Sequence, residues 1–416
     1  MRQRARKKEI QMPPLTKPVP ATAQPVTFQS MLDGVRALVP ELKARAADIE
    51  SDRSIPEDVI AALADLGLFR LLQPKRFGGL ELGFTQFVRL NLELGRGCGS
   101  TAWCASIAMI HNWLVALYPL EAQQEVWADP GALVAGAYAP NGTCERVSGG
   151  LRITGRWSFA SNCDHSAWGV VCTMIPPSSE GKPPVQAWCL VPRSEFTIED
   201  TWFSAGMAGT GSKTMRIDVP TFIPDHRYLP VTVINSGEAP GSRVNDNPLY
   251  RLAFTGAAPF TLSSVPVGIA AGALEDFIEL ARTRMAAQPG GPPRPMSELP
   301  NVQLAVADAS ALVDAAAMLL LRDTEAMHSI LDEGRLPAIE DRMVYRRDQA
   351  FVANQAARAA TILFEAMGAS GGDLASPVQR AWRDTNLAAR HISLAWANTG
   401  PMYGQHRLGL SPRGTY

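Results

Sequence analysis

The residue most suited to acid–base chemistry is His391, because it lies within an otherwise apolar helical pattern. If that helix continues through it, His391 shares a stripe with Leu387 and Leu394 and faces the core. An imidazole titrates near neutral pH, so a buried one can take up, hold or return a proton. The alternative is a core histidine that is simply hydrogen-bonded to a backbone carbonyl.

A second histidine, His111, lies in an apolar segment that also contains Trp113. Helical spacing places Trp103, Ile107 and His111 on one face, which predicts a helix lining a largely apolar pocket with one polar group. Trp113 and Tyr138, which ends a short apolar run, are further candidates for contact with a bound molecule. A packed helix face with a satisfied imidazole would give the same pattern.

Aromatic and hydroxyl side chains alternate along the segment Gly155–Asn162. In a regular strand, Trp157, Phe159 and Ser161 lie on the same side. They would form an apolar aromatic wall that carries one hydroxyl group. An ordinary half-buried strand with a surface serine is the alternative.

Composition argues against several classes of function. The 416 residues include 39 basic and 40 acidic side chains, so nucleic acid is not expected as a ligand. Neither a GxGxxG motif nor a P-loop is present, and the six cysteines contain no CxxC, which predicts neither a metal site nor a disulfide framework. We find no uninterrupted apolar run long enough to cross a bilayer and no signal-peptide core, and therefore expect a soluble cytoplasmic protein without a membrane partner.

The apolar period changes twice along the chain. Residues 1–27 are rich in proline and predict a disordered arm, whereas 28–131 has helical spacing. Residues 132–240 contain short apolar runs broken by Gly, Pro and Asn, which predicts a β domain, and 241–416 returns to long helical patterns. Four long helices are expected there: Val267–Met285, Val302–Asp332, Met343–Met367 and Pro377–Trp396. The prediction is an α+β fold with an N-terminal helical domain, a central β domain and a C-terminal four-helix bundle.

Four blocks of the sequence resemble the acyl-CoA dehydrogenase superfamily of flavoproteins, and they occur in the family's order. The blocks are Gly155–Asn162, the glycine-rich turn Ala205–Lys213, Ala281–Met285 at a helix end, and Phe364–Gly372. The resemblance implies the acyl-CoA dehydrogenase-like fold from about residue 30 onwards. It also implies that Trp157 and Phe159 lie along a flavin ring and that Ser161 faces the flavin N5 atom.

The same resemblance implies further contacts with the flavin. Arg282 or Arg284 would hold the phosphate or the N1/C2 carbonyl region, because a guanidinium pairs with phosphate and stabilises negative charge on reduced flavin. Gly368 and Gly371 would lie against the cofactor of a neighbouring subunit. A solvated arginine pair and a plain helix C-cap are the alternatives for these two blocks.

The last bundle helix separates two branches of the superfamily. Acyl-CoA dehydrogenases usually place a glutamate base there, and counting from Arg383-Asp384 puts Ile392 at that position, although some relatives place the glutamate on the preceding helix. An Arg-Asp pair followed by His391 instead resembles the two-component monooxygenases of the fold, such as oxygenase components acting on 4-hydroxyphenylacetate and on steroid-derived phenols.

The resemblance therefore implies an oxygenase component that receives FMNH2 or FADH2 from a separate NAD(P)H:flavin reductase. With O2, a flavin C4a-hydroperoxide would hydroxylate a small aromatic substrate, phenolic or indolic, with His391 as the base and His111 as a substrate contact. The family is usually tetrameric, so a homotetramer is expected. An acyl-CoA dehydrogenase-type oxidoreductase, a monooxygenase acting on S or N of a heterocycle or amine, and a scaffold without flavin are the alternatives.

Three positions depart from the pattern of the phenol hydroxylases. Relatives often have a serine in the strand that here reads Val134–Tyr138, a glycine at the position of Asn162, and in some cases a tyrosine at the position of Ser393. The resemblance therefore leaves the substrate open.

Overall fold

The computed structural model describes residues 26–288 and 290–416, so most of the proposed N-terminal arm lies outside the described residues. Helices form both ends of the described chain and strands form its middle. This arrangement confirms the predicted α+β fold.

The N-terminal part is helical. Its helices are α1 (Phe28–Asp52), α2 (Glu57–Asp65), α3 (Phe84–Gly97), α4 (Gly99–Val115) and α5 (Leu120–Val126). Helix α1 begins where the Thr27 hydroxyl accepts a hydrogen bond from the Ser30 backbone N–H, as expected for a threonine N-cap. Helix α4 is apolar on most sides, and every residue in it except Ile107 is buried. It is therefore the central helix against which the other parts pack.

The middle of the chain forms two four-stranded sheets. One has the order β1 (Val134–Ala137), β4 (Trp168–Ile175), β5 (Val185–Pro192), β8 (Tyr228–Pro230). The other has the order β2 (Thr143–Val147), β3 (Gly150–Ala160), β7 (Lys213–Pro224), β6 (Thr197–Glu199). The sequence analysis missed β2, β6 and β8, because β2 is largely exposed and the other two have three residues each, so none carries a clear apolar run.

Strand β3 is not regular, and this corrects one prediction. A register shift lies between Trp157 and Ala160 in the pairing with β7, and Phe159 has a left-handed backbone with φ of 68°. Trp157 is completely buried in a core between the sheets, where its Nε1 donates to the Cys172 carbonyl at 2.7 Å. Phe159 is 70% exposed. The two rings therefore do not share a face, and Trp157 cannot belong to a ligand-facing wall.

The C-terminal part is again helical. Its helices are α6 (Val231–Ile234), α7 (Phe254–Ala257), α8 (Pro259–Thr283), α9 (Pro300–Asp332), α10 (Ile339–Ala366), α11 (Pro377–Ala388) and α12 (Trp396–Arg407). A hairpin of β9 (Met285–Gln288) and β10 (Gly291–Pro295) connects α8 to α9. The four long helices predicted here are present, but the fourth is shorter than predicted.

The early end of α11 changes the placement of His391. The helix ends at Ala388, and His391 lies before a short 3-10 turn, Ile392–Leu394. The His391 side chain caps this turn by accepting a hydrogen bond from the Ser393 backbone N–H. His391 is therefore not on a helical stripe with Leu387, and it is held by a local turn instead.

Two helical segments are long and apolar enough to span a membrane, contrary to the sequence analysis. In Phe254–Thr283, 89% of the most apolar window is buried, which identifies a core helix. In α9 only 28% is buried. One face of α9 carries a row of exposed apolar residues, here called the α9 stripe: Leu304, Ala307, Ala311, Ala315 and Met318. This face has no covering element within the described chain.

A buried carboxylate joins the helical bundle to the β domain. Asp384 on α11 accepts a hydrogen bond from the Met207 backbone N–H at 2.5 Å, and its neighbour Arg383 binds the Ala205 carbonyl and Glu50. Burial raises the pKa of Asp384 to about 6, while the Met207 N–H opposes that rise. The Arg-Asp pair therefore fixes the glycine-rich turn Ala205–Lys213 against the bundle.

We expect Trp157→Phe to destabilise the protein by about 1–3 kcal/mol, because the Cys172 carbonyl loses its buried donor. Denaturant unfolding would measure this change, and flavin affinity should stay the same. The matched variant Phe159→Ala should show the reverse, with little change in stability and weaker flavin binding. A stability loss in Phe159→Ala larger than in Trp157→Phe would contradict the assignment of the two rings.

Candidate active site

One face of α4 carries the residues that the sequence predicts to line a binding pocket. Trp103, Ile107 and His111 are one helical turn apart on this face, as the sequence predicted. Ile107 is the residue of this buried helix that keeps partial exposure. The least covered side of α4 is therefore the turn between Trp103 and His111.

Trp103 brings together two residues that are distant in sequence. Its indole Nε1 donates a hydrogen bond to the Ser161 hydroxyl at 3.1 Å. Its ring also meets the His391 ring edge-on, with 5.8 Å between centroids and an interplanar angle of 60°. Ser161 from the β domain and His391 from the bundle therefore flank the same side chain.

The Ser161 hydroxyl belongs to a row of hydrogen bonds with a fixed direction. Thr210 Oγ1 donates to the Met207 carbonyl at 2.8 Å, so its single proton is committed. The Thr210–Ser212 contact of 2.7 Å then requires Ser212 to donate, and the Ser212–Ser161 contact of 2.7 Å requires Ser161 to donate. Ser161 Oγ accepts from Trp103 and retains one lone pair.

That lone pair fits the reduced form of flavin. A reduced flavin carries a hydrogen on N5, so N5 needs an acceptor, and Ser161 Oγ can supply one without breaking the row. Phe159, two residues before Ser161, is exposed and meets the Trp202 ring edge-on at 6.0 Å. The Phe159 ring is therefore free to stack against a planar ligand. The donor set around Ser161 therefore suits the cofactor that the resemblance implies.

The hydrogen bonds of His391 define its chemistry. Nδ1 accepts from the Ser393 backbone N–H at 3.2 Å, so in the neutral ring the proton sits on Nε2. Nε2 has no partner among the described residues. Burial, followed by the charge of Arg346, lowers the pKa of His391 to about 4. His391 therefore presents a neutral N–H donor, which favours a donor role over the base role expected from the sequence.

His111 is fully engaged inside the protein. Its Nδ1 must donate to the Val134 carbonyl, at 2.7 Å, so Nε2 accepts from the Tyr138 hydroxyl, also at 2.7 Å. Burial lowers the pKa of His111 to about 4 and raises that of Tyr138. His111 is buried, whereas Tyr138 is partly exposed. A bound molecule can therefore meet the Tyr138 oxygen, as an acceptor, more readily than the imidazole.

Trp113 lies in the core, which corrects the expectation of a substrate contact. It has no exposed surface, its Nε1 donates to the Leu249 carbonyl at 3.2 Å, and its ring stacks on Phe254 at 5.4 Å. The sequence could not separate it from His111, because every side of α4 is apolar.

The two arginines and two glycines lie at the ends of helices in the C-terminal part. Arg282 is exposed in the last turn of α8 and Arg284 follows it; neither guanidinium has a partner among the described residues. Gly368 has a left-handed φ of 62° with open space around it. A Cβ on Gly371 would lie 2.8 Å from the Met367 Cβ, so this glycine is needed for the turn itself. The structure leaves Arg282 and Arg284 free to bind an anion.

The position of the dehydrogenase glutamate holds no carboxylate. Ile392 is 76% exposed there, and the nearby Asp384 is committed to the Met207 N–H. Within the described ranges, no group of three or more His, Cys, Asp or Glu side chains could hold a metal ion. The six cysteines are free thiols.

Sequence reasoning missed the hydroxyl row and the residues behind His391. The turn Ala205–Lys213 was singled out for its glycines, whereas Thr210 and Ser212 in it carry the row. Two hydroxyl residues two positions apart in such a turn were a readable signal. The roles of Ser393 and Arg346 could not be read from the sequence, because Ser393 acts through its backbone N–H and carbonyl and Arg346 reaches that carbonyl from another helix.

Comparisons with known proteins agree with this architecture. Family models described as the acyl-CoA dehydrogenase N-terminal domain and C-terminal domain match residues 27–132 and 260–396. The oxygenase component of an FADH(2)-dependent resorcinol hydroxylase from Rhizobium sp. (strain MTP-10005) is 41% identical over 96% of this chain and 98% of its own.

Solved structures of relatives superpose over nearly the whole chain. The HsaA monooxygenase from Mycobacterium tuberculosis has a TM-score of 0.87 at 34% identity, covering 93% of this chain and 99% of that one. XiaF from Streptomyces sp., in complex with FADH2 and glycerol, has a TM-score of 0.84 at 27% identity, covering 94% and 98%. The chain therefore belongs to the acyl-CoA dehydrogenase superfamily, among its flavin-dependent monooxygenases.

Proposed function

We propose that this chain is the oxygenase component of a two-component flavin monooxygenase, which hydroxylates a small phenolic or indolic substrate. Ser161 and His391 both contact Trp103, and Ile392 stands at the position of the dehydrogenase base; this arrangement supports the proposal most strongly. The names of the relatives, a resorcinol hydroxylase and a flavin-dependent monooxygenase subunit, support it.

We assign the cofactor contacts to residues whose free groups match a reduced flavin, FMNH2 or FADH2. Ser161 Oγ would accept a hydrogen bond from the N5–H group of a bound reduced flavin, and Phe159 would lie against the flavin ring. Arg282 and Arg284, which have unpaired guanidinium groups, bind phosphate. When bound, the reduced flavin activates O2 and supplies one oxygen atom to the substrate.

The substrate lies along α4 in this proposal. Ile107 provides apolar contact and helps to exclude water from the bound substrate. His391 Nε2–H donates to an oxygen atom of the reacting groups, because the ring stays neutral at physiological pH. Tyr138 accepts a hydrogen bond from a substrate hydroxyl or ring N–H, and His111 fixes the direction of the Tyr138 proton.

The α9 stripe supports self-association. Leu304, Ala311 and Met318 recur every seven residues on the solvent side of α9, while the opposite side packs into the bundle. A contiguous exposed apolar face of this kind is typical of a subunit interface. We infer a homotetramer built through the helical bundles, with Gly368 and Gly371 close to the cofactor of a neighbouring subunit.

The separate flavin reductase remains part of the proposal. Relatives are named as oxygenase components, which implies that another protein reduces the flavin. The six unpaired cysteines agree with a cytoplasmic location, where thiols stay reduced.

A product screen with chemically or enzymatically reduced flavin tests the function. With phenols, dihydroxybenzenes or indoles, the protein should consume O2 and form hydroxylated products. With acyl-CoAs it should not reduce a dye acceptor. Anaerobic turnover of an acyl-CoA, or failure of every aromatic compound to give product while reduced flavin binds, would overturn the proposal.

Ser212→Ala should weaken the binding of reduced flavin roughly tenfold, because about 1–1.5 kcal/mol of hydrogen bonding to Ser161 is lost and the direction of the row is no longer fixed. Anaerobic fluorescence titration would measure the affinity. Ser158→Ala is the matched control, since Ser158 pairs with Thr214 at 3.1 Å outside the row and should leave the affinity unchanged.

Replacing Leu304 and Met318 together by glutamate should reduce the assembly to smaller species, because two exposed apolar contacts of the α9 stripe become charged. Light scattering after gel filtration would report the mass. The control pair Asp308→Glu and Asp314→Glu changes solvent-exposed charged positions on the same helix and should keep the parent mass. An unchanged mass in the Leu304/Met318 variant would place the interface elsewhere.

A further inference from the structure

Arg346 on α10 is a buried cation without a carboxylate partner in the described part of the chain. It is 2% exposed, and its three hydrogen bonds go to neutral acceptors. Nη1 donates to Gln349 Oε1 at 2.7 Å, Nη2 to the Ser393 carbonyl at 2.8 Å and Nε to the Thr415 carbonyl at 3.2 Å. Burial lowers the pKa of Arg346 to about 10. A buried charge of this kind is costly, so its position is held by those acceptors.

One of those acceptors belongs to the turn that orients His391. The Ser393 N–H donates to His391 Nδ1, and the Ser393 carbonyl accepts from Arg346. Residue 393 is therefore held on both sides, by the imidazole and by the guanidinium. Any movement of Arg346 would be passed to the imidazole through this single residue.

Another acceptor comes from the C-terminal segment, which is seated by several contacts. The Arg413 N–H donates to Gln405 Oε1 at 2.8 Å, and the Tyr416 ring lies 5.4 Å from the Arg342 guanidinium carbon. Gly414 approaches Met402 so closely that a Cβ there would lie 2.2 Å from the sulfur. These contacts place the Thr415 carbonyl on Arg346.

We propose that Arg346 is a positioning residue for His391, and that residues 409–416 form a strap that holds Arg346 against the His391 turn. The proposal rests on the role proposed above for His391. The strap supplies the Thr415 carbonyl as an acceptor for Arg346, and Arg346 in turn holds the Ser393 carbonyl. The Ser393 N–H then binds His391 Nδ1, which keeps the imidazole proton on Nε2.

The charge of Arg346 acts in the same direction as its hydrogen bonds. A cation beside the ring opposes the uptake of a second proton, so the imidazole stays a neutral donor. The other charged groups nearby on α10, Arg347 and Asp348, are paired with each other, and α8 has no charged residue between Pro259 and Leu274. Trp103, which contacts the ring from α4, is uncharged.

Nitrogen NMR of labelled histidine in the full chain separates these effects without turnover. In the unaltered protein the His391 signal should show one Nε2–H tautomer and no titration between pH 5 and 8. Arg346→Gln should raise the His391 titration midpoint by at least about one pH unit towards 6.5. Arg346→Lys keeps the charge and should restore the neutral ring, while the loss of the planar fork leaves the tautomers mixed.

Shortening the chain after Gly414 removes the Thr415 carbonyl and leaves Arg346 in place. It should give mixed tautomers and reduce the product formed per flavin oxidised at least threefold, with unchanged affinity for reduced flavin. Thr415→Ala keeps the carbonyl and Tyr416→Ala removes only the ring, so both should behave like the unaltered protein.

The proposal is overturned if the shortened protein matches Thr415→Ala in tautomer and in product yield, or if a folded Arg346→Gln variant titrates like the unaltered protein. If Arg346→Gln does not fold, the shortened protein still tests the proposal, because it keeps Arg346 and loses only the last two residues. If the NMR changes occur but no variant or parent makes product, the proposed function fails while the positioning role stands.

Discussion

The hydrogen bond from the Trp103 indole to the Ser161 hydroxyl is the contact on which the site depends. An indole N–H can only donate, and at the other end of the row the Met207 carbonyl can only accept, so the intervening protons of Ser161, Ser212 and Thr210 have one arrangement. The oxygen of Ser161 is thereby left with one lone pair that can accept a further hydrogen bond. The same indole touches His391, whose capping bond makes it a donor. The site therefore offers one hydrogen-bond acceptor, Ser161 Oγ, and one donor, His391 Nε2–H, and both residues contact the Trp103 ring.

The rest of the fold maintains this pair. Helix α4 carries Trp103 and is buried along nearly its whole length, which limits its movement. The glycine-rich turn that supplies Thr210 and Ser212 is held to the bundle by Asp384, a carboxylate whose burial raises its pKa. On the opposite side, buried Arg346 holds the turn of His391. Two charged groups are thus buried where a backbone segment has to be fixed, and each is satisfied mainly by backbone atoms.

Sequence could predict the large features because they follow from periodicity. The helical, strand and helical regions were expected from spacing, and the resemblance placed Ser161 and His391 at one site, where both contact Trp103. The register shift at Phe159 was not, since an alternating strand and a bulged one have the same pattern of residue types. The end of α11 was missed for a related reason: it depends on Ser393 and on Arg346, which comes from another helix. His111 looked available because its partner Tyr138 lies on a different element.

We infer that the direction of the hydroxyl row favours the binding of reduced over oxidised flavin. Oxidised flavin has an unprotonated N5, which would face the Ser161 lone pair instead of donating to it. Anaerobic and aerobic titrations of the unaltered protein with the two forms of one flavin test this most directly. The account predicts at least about tenfold tighter binding of the reduced form, on the order of one hydrogen bond. Equal affinities, or tighter binding of the oxidised form, would contradict it.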